Sequence, residues 1–236
     1  MILEDFVLHT KANQTFPTSG IDSAEQCRDK LHFQNYPHPV SYKYNSYGFR
    51  DNEWPKTIND LKKSIWCVGD SFTVGLGNCQ EHVWTHMLEK RLGIRCINVS
   101  LDGASNQWIA RKIKRIQEEI NPAIIIAQWT YITRSESTDT TLSDEQRRMH
   151  CDPRDFLHLE PQDYYSRFND LLMSMDGSLI NSAIPKFNVF DTPVTFKKDL
   201  YEVEKLDVSR DGFHYGQLSA DKFVGYLCRR LETIKF

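Results

Sequence analysis

Three residues in two short segments have the types and spacing needed to activate an alcohol as a nucleophile. Ser71 ends a Gly-Asp-Ser tripeptide that follows an apolar, strand-like run over residues 64–68. Asp211 and His214 lie three positions apart, close enough for one turn to present both side chains. A serine, an imidazole and a carboxylate are the groups that nucleophilic acyl transfer uses. Hydrolysis of an acyl group is therefore the chemistry that these residues indicate.

Each segment alone also fits a simpler interpretation. Asp and Ser are common N-cap residues, so Asp70 and Ser71 can merely begin a helix. His214 can be a solvated loop histidine, one of eight histidines in the chain. The spacing of Asp211 and His214, followed by a helical pattern, favours the catalytic interpretation. Two other motifs are excluded. The G-x-S-x-G serine motif is not matched because Thr73 occupies its last glycine position, and the chain has no GK[ST] phosphate-binding loop.

Composition is that of an ordinary globular domain. The 236 residues are 40% hydrophobic and 26% charged, which favours one α/β domain. The formal charge of −3 gives no reason to expect nucleic acid or an anionic membrane as a partner. The N-terminal residues lack the basic and apolar regions of a signal peptide, so we expect a cytoplasmic protein. The six cysteines include no C-x-x-C pair, which predicts free thiols in a reducing compartment.

From residue 64 onward, strand and helix patterns alternate. Strands are predicted over 64–68, 95–100, 123–129 and 186–191, and helices over 82–91, 106–120, 164–175 and 218–233. Such alternation indicates a parallel sheet of about five strands in a three-layer α/β/α sandwich of flavodoxin-like type. Residues 1–60 are interpreted as an irregular N-terminal extension packed on a domain over 61–236, and residues 134–160 as a polar insertion.

Four segments resemble the sequence blocks of the SGNH (GDSL-type) hydrolases. Val68–Gly75 is similar to the Gly-Asp-Ser block, Asn98–Ser105 to the glycine block, and Asp211–Gly216 to the C-terminal Asp-x-x-His block. Tyr44–Arg50 is similar to an Asn-Ser-x-Gly-Phe-Arg segment that precedes the serine in some members. The resemblance covers about residues 44–230 in the family's order.

This resemblance implies a role for each matching residue. Ser71 would be the nucleophile, His214 the general base and Asp211 the group that orients the imidazole. The backbone N–H groups of Ser71 and Gly103 would stabilise the oxyanion. No metal or organic cofactor is implied, and the expected partner is a small-molecule or carbohydrate ester.

The chain departs from the family at the end of the third strand. The family has Gly-x-Asn-Asp there, and its asparagine donates to the oxyanion, whereas this chain has Trp129-Thr130-Tyr131 and then Arg134. Thr130 is the predicted replacement donor, with Arg134 as the alternative. Arg134 can instead bind an acidic group of the substrate or pair with Glu136.

Three functions follow from these observations. The first is a serine esterase acting on an acyl ester, such as an O-acetyl carbohydrate. The second is an SGNH-like binding module with weak or no turnover, because the third-strand asparagine is missing. The third is an acyltransferase to a sugar acceptor.

Two further sites have weaker support. Arg50 is a candidate for the rim of the pocket, although a structural anchor is the simpler interpretation. His82 and His86 are four apart on a predicted helix, but the glutamate of H-E-x-x-H is absent, so no metal site is predicted.

Overall fold

The computed structural model describes residues 6, 8, 10–137, 139, 141–142, 146, 160–175, 179–190 and 192–234. A five-stranded sheet lies at its centre. The strands are β3 (Ile65–Gly69), β4 (Cys96–Ser100), β5 (Ile124–Trp129), β6 (Leu179–Ala183) and β7 (Tyr201–Glu202), in spatial order β4-β3-β5-β6-β7. Every neighbouring pair is parallel. The strand order changes direction between β3 and β5, and open parallel sheets bind ligands at the carboxyl ends beside such a point.

Helices cover both faces of this sheet. The longer ones are α3 (Ile58–Lys63), α5 (Trp84–Leu92), α6 (Asn106–Glu119), α7 (Pro161–Met173) and α8 (Gln217–Ile234), with the four-residue α4 (Ser71–Val74) directly after β3. Trp66 and Val68 of β3 join the apolar cluster of α3, α6 and α7, while Ile65 and Cys67 join that of α5 and α8. This alternation buries the central strands on both faces. The predicted three-layer α/β/α sandwich is confirmed.

The N-terminal residues contain short elements of their own. Strands β1 (Thr15–Phe16) and β2 (Tyr42–Lys43) pair antiparallel, and the helices are α1 (Ala24–Cys27) and α2 (Leu31–Gln34). Tyr42 packs in an apolar cluster with Val74 and Leu76, which follow Ser71. The division of the chain at residue 60 stays a prediction.

One predicted strand is wrong. Residues 186–190 form turns and irregular backbone, with Lys186 at φ 57°, and the strand lies earlier, over Leu179–Ala183. The earlier segment contains Asn181 and Ser182, which obscure an apolar strand pattern. Both find partners inside the sheet: the Trp129 indole donates to Asn181 Oδ1 at 3.0 Å, and Ser182 donates to Ala127 O at 2.8 Å.

The structure also bears on the predicted thiols and on the predicted polar insertion. Cys27, Cys67, Cys79, Cys96 and Cys228 are free thiols, as predicted, and Cys151 lies outside the described residues. Most of the predicted polar insertion also lies outside them. Within the described ranges, no helix has the length and apolar character needed to cross a membrane.

Candidate active site

The junction of β3 and α4 places Ser71, the first residue of α4, at the carboxyl edge of the sheet. Asp70 is the N-cap of α4, and its Oδ1 accepts a hydrogen bond from Phe72 N at 3.0 Å. Gly69 is required for close packing, since a Cβ there would lie 2.1 Å from Thr73 Oγ1. Ser71 is 3% exposed, so its hydroxyl is both buried and held on a rigid turn.

The turn over residues 211–214 presents the second and third groups. Asp211 Oδ1 accepts hydrogen bonds from Phe213 N at 2.7 Å, His214 N at 3.0 Å and Ser209 Oγ at 2.8 Å. Its Oδ2 lies 2.6 Å from His214 Nδ1. Burial raises the pKa of Asp211, but the hydrogen bond to His214 and the other donors outweigh it, so the pKa falls below its usual value. The carboxylate therefore stays ionised and can hold Nδ1 in its protonated form.

The two segments meet at hydrogen-bond distance. His214 Nε2 lies 2.8 Å from Ser71 Oγ, across 143 positions of sequence. His214 is 2% exposed and Asp211 3%, like Ser71. A neutral imidazole in this arrangement can accept the serine proton through Nε2 while Nδ1 donates to the carboxylate.

Two backbone N–H groups lie free at the same edge. Gly103 stands in the turn after β4, at φ 72°, and β4 pairs with β3 through Gly69 and Ser100. Among the described residues, neither the Ser71 N–H nor the Gly103 N–H has a hydrogen-bond partner. Free N–H groups next to a nucleophile can receive the negative charge of a tetrahedral intermediate.

Two side chains of the loop after β5 form hydrogen bonds with Asp70. Thr130 Oγ1 donates to Asp70 Oδ2 at 2.6 Å, and Arg134 Nη1 donates to the same oxygen at 2.9 Å. Asp70 is fully buried, and the Arg134 side chain is 18% exposed. The one hydroxyl proton of Thr130 is thus used on Asp70 and would have to leave it to serve an oxyanion. Glu136 pairs with Arg111, so the alternative pairing of Arg134 with Glu136 is not formed.

Asn106, the first residue of α6, is a site residue that the sequence analysis missed. Its Oδ1 accepts from Thr130 N at 3.0 Å, and its Nδ2 donates to the carbonyl oxygens of Thr130 and Tyr131, each at 3.2 Å. The side chain, 3% exposed, thereby holds the chain where it leaves β5. An asparagine after the Ser105 N-cap resembles any polar residue of a first helical turn, so the sequence carries little signal of this role.

Arg50 has the position of a structural anchor and not of a pocket rim, which corrects its candidacy as a substrate-binding residue. It is 1% exposed, and Nη1 donates to the carbonyl oxygens of Val74 at 3.1 Å and Gly75 at 2.6 Å. Nη2 donates to Ser41 O at 2.9 Å and Asn78 O at 2.8 Å. Arg50 therefore binds the carbonyl groups at the end of α4 and acts as a structural anchor.

The N-terminal segment supports the turn that carries His214. Asp22 is fully buried, and its Oδ2 accepts from Tyr42 Oη and from Arg210 Nε, each at 2.7 Å. Arg210 N donates to Gly77 O at 3.1 Å. Gly77, at φ 75°, allows this approach because a Cβ there would lie 2.2 Å from Ser209 Oγ. Asp22 thus connects the segment after Ser71 with the segment before Asp211.

His82 and His86, the pair considered as possible metal ligands, contact other side chains. His82 packs against His38 with ring centroids 4.6 Å apart, and His86 Nε2 lies 3.2 Å from the Gln80 amide nitrogen. Among the residues that the structure describes, no group of three or more His, Cys, Asp or Glu side chains is arranged to hold a metal ion.

Comparison with known proteins gives structural similarity only. No protein-family model matches the chain, and no curated protein matches it significantly. Among solved structures, TesA is 13% identical over 72% of this chain and 98% of its own, with a TM-score of 0.45. The esterase EstA from a Pseudoalteromonas species is 13% identical over 72% and 99%, with a TM-score of 0.43. AlinE4, an SGNH-hydrolase family esterase, is 17% identical over 52% and 58%, with a TM-score of 0.33. Similarity this low does not transfer an activity or its residues.

Proposed function

We propose that the chain is a serine ester hydrolase of the SGNH type, with Ser71 as nucleophile, His214 as general base and Asp211 as the residue that orients the imidazole. The observation that carries this proposal is the continuous hydrogen-bonded series from Ser71 Oγ to His214 at 2.8 Å and from His214 to Asp211 at 2.6 Å. An inactive binding module has no need of three buried polar side chains in this order. The same series therefore favours turnover over binding alone.

The proposed reaction has two steps. Ser71 Oγ attacks the ester carbonyl carbon while its proton passes to His214 Nε2. The tetrahedral intermediate then collapses as the C–O bond to the alcohol breaks, and His214 returns the proton to the leaving oxygen. Water, deprotonated by His214, attacks the acyl-serine and releases the carboxylic acid and free Ser71.

The oxyanion is proposed to bind the N–H groups of Ser71 and Gly103. A missing third donor would cost on the order of 3 kcal/mol of transition-state stabilisation. We propose that Thr130 contributes to catalysis through Asp70, which caps the helix that begins with Ser71, rather than by direct donation. This assignment revises the expectation that its hydroxyl replaces the missing asparagine.

The substrate is proposed to be a small acyl ester of a polar alcohol, such as an O-acetyl carbohydrate. Phe213, 49% exposed, lies against the His214 ring with the centroids 5.0 Å apart, and it offers apolar contact to a short acyl group. The cavity between the loop after β5 and helix α7 is lined by polar side chains, including Gln107 and Ser135, and by apolar ones, including Phe168 and Leu171, so it can receive an alcohol that has polar groups on a compact frame.

The test combines active-site labelling with turnover. A fluorophosphonate probe should label the wild type at Ser71, and 4-nitrophenyl acetate should be hydrolysed. Ser71→Ala should abolish labelling and lower kcat/KM at least about a thousandfold without unfolding the protein. A folded wild type that is neither labelled nor active, or a Ser71→Ala variant as active as wild type, would overturn the proposal.

A further inference from the structure

A cavity lies between the loop after β5 and helix α7. It is a partly open cavity of about 80 Å³, and its lining includes Asn106, Arg134 and Arg167. Arg134 connects the cavity with the active site, because its Nη1 lies 2.9 Å from Asp70 Oδ2 and Asp70 precedes Ser71. A group bound to Arg134 in this cavity would therefore be separated from Ser71 by one ion pair and one peptide unit.

Part of the Arg134 guanidinium group is available to donate hydrogen bonds to a ligand. Asp70 and Thr130 contact only its Nη1, while Nε and Nη2 have no hydrogen-bond partner among the described residues. The guanidinium carbon lies 5.1 Å from the centroid of the Tyr131 ring, which holds its plane. A guanidinium fixed in this way presents a rigid fork of N–H groups, the geometry that suits carboxylate and phosphate oxygens.

Arg167 adds a second guanidinium from helix α7. It is exposed and has no ion pair or hydrogen bond within the described part of the chain. Asp163 and Asp170, one turn before and after it, form no ion pair with it. Among the described residues, no aspartate or glutamate lines the cavity. Within the described residues Arg167 therefore has no ion-pair partner, while Arg134 pairs with buried Asp70.

We propose that this cavity binds a negatively charged group, a carboxylate or phosphate, on the alcohol part of the substrate. Arg167 supplies the net charge and Arg134 the fixed donors, so both are specificity-determining residues. The inference rests on the proposed ester hydrolase function and narrows its substrate to anionic esters.

The test uses two acetyl esters that differ in charge and little in shape, 4-acetoxybenzoate and 4-acetoxybenzamide. The wild type should show a kcat/KM at least about tenfold higher for the anionic ester. Arg167→Gln should reduce this ratio at least fivefold, as should Arg134→Lys, which keeps the charge near Asp70 but lacks the fork. Arg229→Gln, at an exposed arginine of α8, is the matched control and should leave the ratio unchanged. Raising the salt concentration should lower the wild-type ratio.

A binding measurement separates this inference from the proposed function. Ser71→Ala should bind 4-acetoxybenzoate more tightly than 4-acetoxybenzamide in calorimetry, and Ser71→Ala/Arg167→Gln should lose that preference. If the wild type is labelled by fluorophosphonate and cleaves both esters equally, the anion site is refuted and the hydrolase stands. If the anionic ester binds preferentially but no Ser71-dependent cleavage occurs, the hydrolase is refuted and the anion site stands.

Discussion

Asp70 joins the nucleophile to the loop after β5. One carboxylate oxygen caps α4 through Phe72 N, and the other accepts from Thr130 and Arg134. A fully buried carboxylate needs such donors, because an unpaired charge in the interior is costly. The same residue therefore fixes the backbone at Ser71 and the position of the Arg134 guanidinium.

Thr130→Val tests whether Thr130 acts through Asp70. The substitution keeps the shape but removes a donor to a buried carboxylate, so we expect the free energy of unfolding to fall by about 2 kcal/mol. We expect kcat to fall less than about tenfold, because the proposed oxyanion donors are backbone N–H groups. Urea unfolding and ester turnover measure the two effects.

The control is Thr130→Ser, which retains the hydroxyl and should lose less stability. A hundredfold loss of kcat with unchanged unfolding free energy would contradict this account, because a direct oxyanion donor is expected to behave in that way.

At the level of residues, the sequence predicts the proposed triad better than its surroundings. Ser71, Asp211 and His214 lie in short segments whose residue types and spacing are characteristic, so each can be recognised locally. The pairing of Asp70 with Arg134 cannot, because the two are 64 positions apart and meet only once β3 and β5 lie side by side. The sequence likewise leaves Arg50 between a pocket rim and a structural anchor, since its carbonyl partners leave no signature in the sequence.

Among the elements, the N-terminal segment is connected to the turn before Asp211 by the ion pair of Asp22 with Arg210. Asp22 accepts from Thr18, Ser19 and Tyr42, and forms an ion pair with Arg210. Burial raises the pKa of Asp22, but these hydrogen bonds outweigh it and lower the pKa to about 2. The ionised carboxylate is therefore favoured in the folded protein.

Asp22→Asn should destabilise the protein by about 2 kcal/mol at pH 7, since each pKa unit corresponds to about 1.4 kcal/mol. The folded pKa is below the ordinary value of 3.8, so this contribution is present above about pH 4 and is lost as the pH falls toward 2. Urea unfolding of the wild type and of Asp22→Asn at pH 7, 4 and 3 measures this contribution to the free energy of unfolding.

Asp29→Asn is the matched control, at an exposed aspartate of the same segment, and should change stability by less than about 0.5 kcal/mol. An Asp22→Asn variant as stable as this control at pH 7 would show that the N-terminal segment does not hold the Arg210 turn.

The predicted elements are most accurate where the apolar pattern is strong. Strand β5 is a nearly continuous apolar run, and helix α6 has apolar residues at helical spacing, so both are found within a residue or so of their predicted bounds. Strand β6 was missed because its polar residues are satisfied by partners in the neighbouring strand. Such compensation depends on tertiary structure and is invisible in a local pattern.

Over the whole molecule, the half-buried His86 and the buried Asp51 respond to pH in opposite directions. Burial lowers the pKa of His86 to about 4. Burial raises the pKa of Asp51 to about 6, although its ion pair with Arg95 at 2.7 Å opposes the shift. The contribution of His86 to the free energy of unfolding is lost as the pH falls from 6.5 to 4. The contribution of Asp51 is lost as the pH rises from about 4 to 6. Their effects on the total stability oppose each other in this window.

The His86 contribution can be isolated with His86→Gln. Relative to this variant, the wild type should lose up to about 3 kcal/mol of unfolding free energy between pH 6.5 and 4. Chemical denaturation of both proteins at four pH values across this range gives the difference. A difference that is independent of pH would contradict the burial of His86 as a neutral ring.

The ion pair between Asp22 and Arg210 joins residues that are 188 positions apart. Ribosomes make the chain from its N-terminal end, so Asp22 emerges long before the arginine that neutralises it. Until then, a carboxylate destined for the interior must remain in water, and the segment around it cannot pack against the Arg210 turn. The proposed site is consequently completed at a late stage of synthesis, after the strands of the sheet are already available to fold.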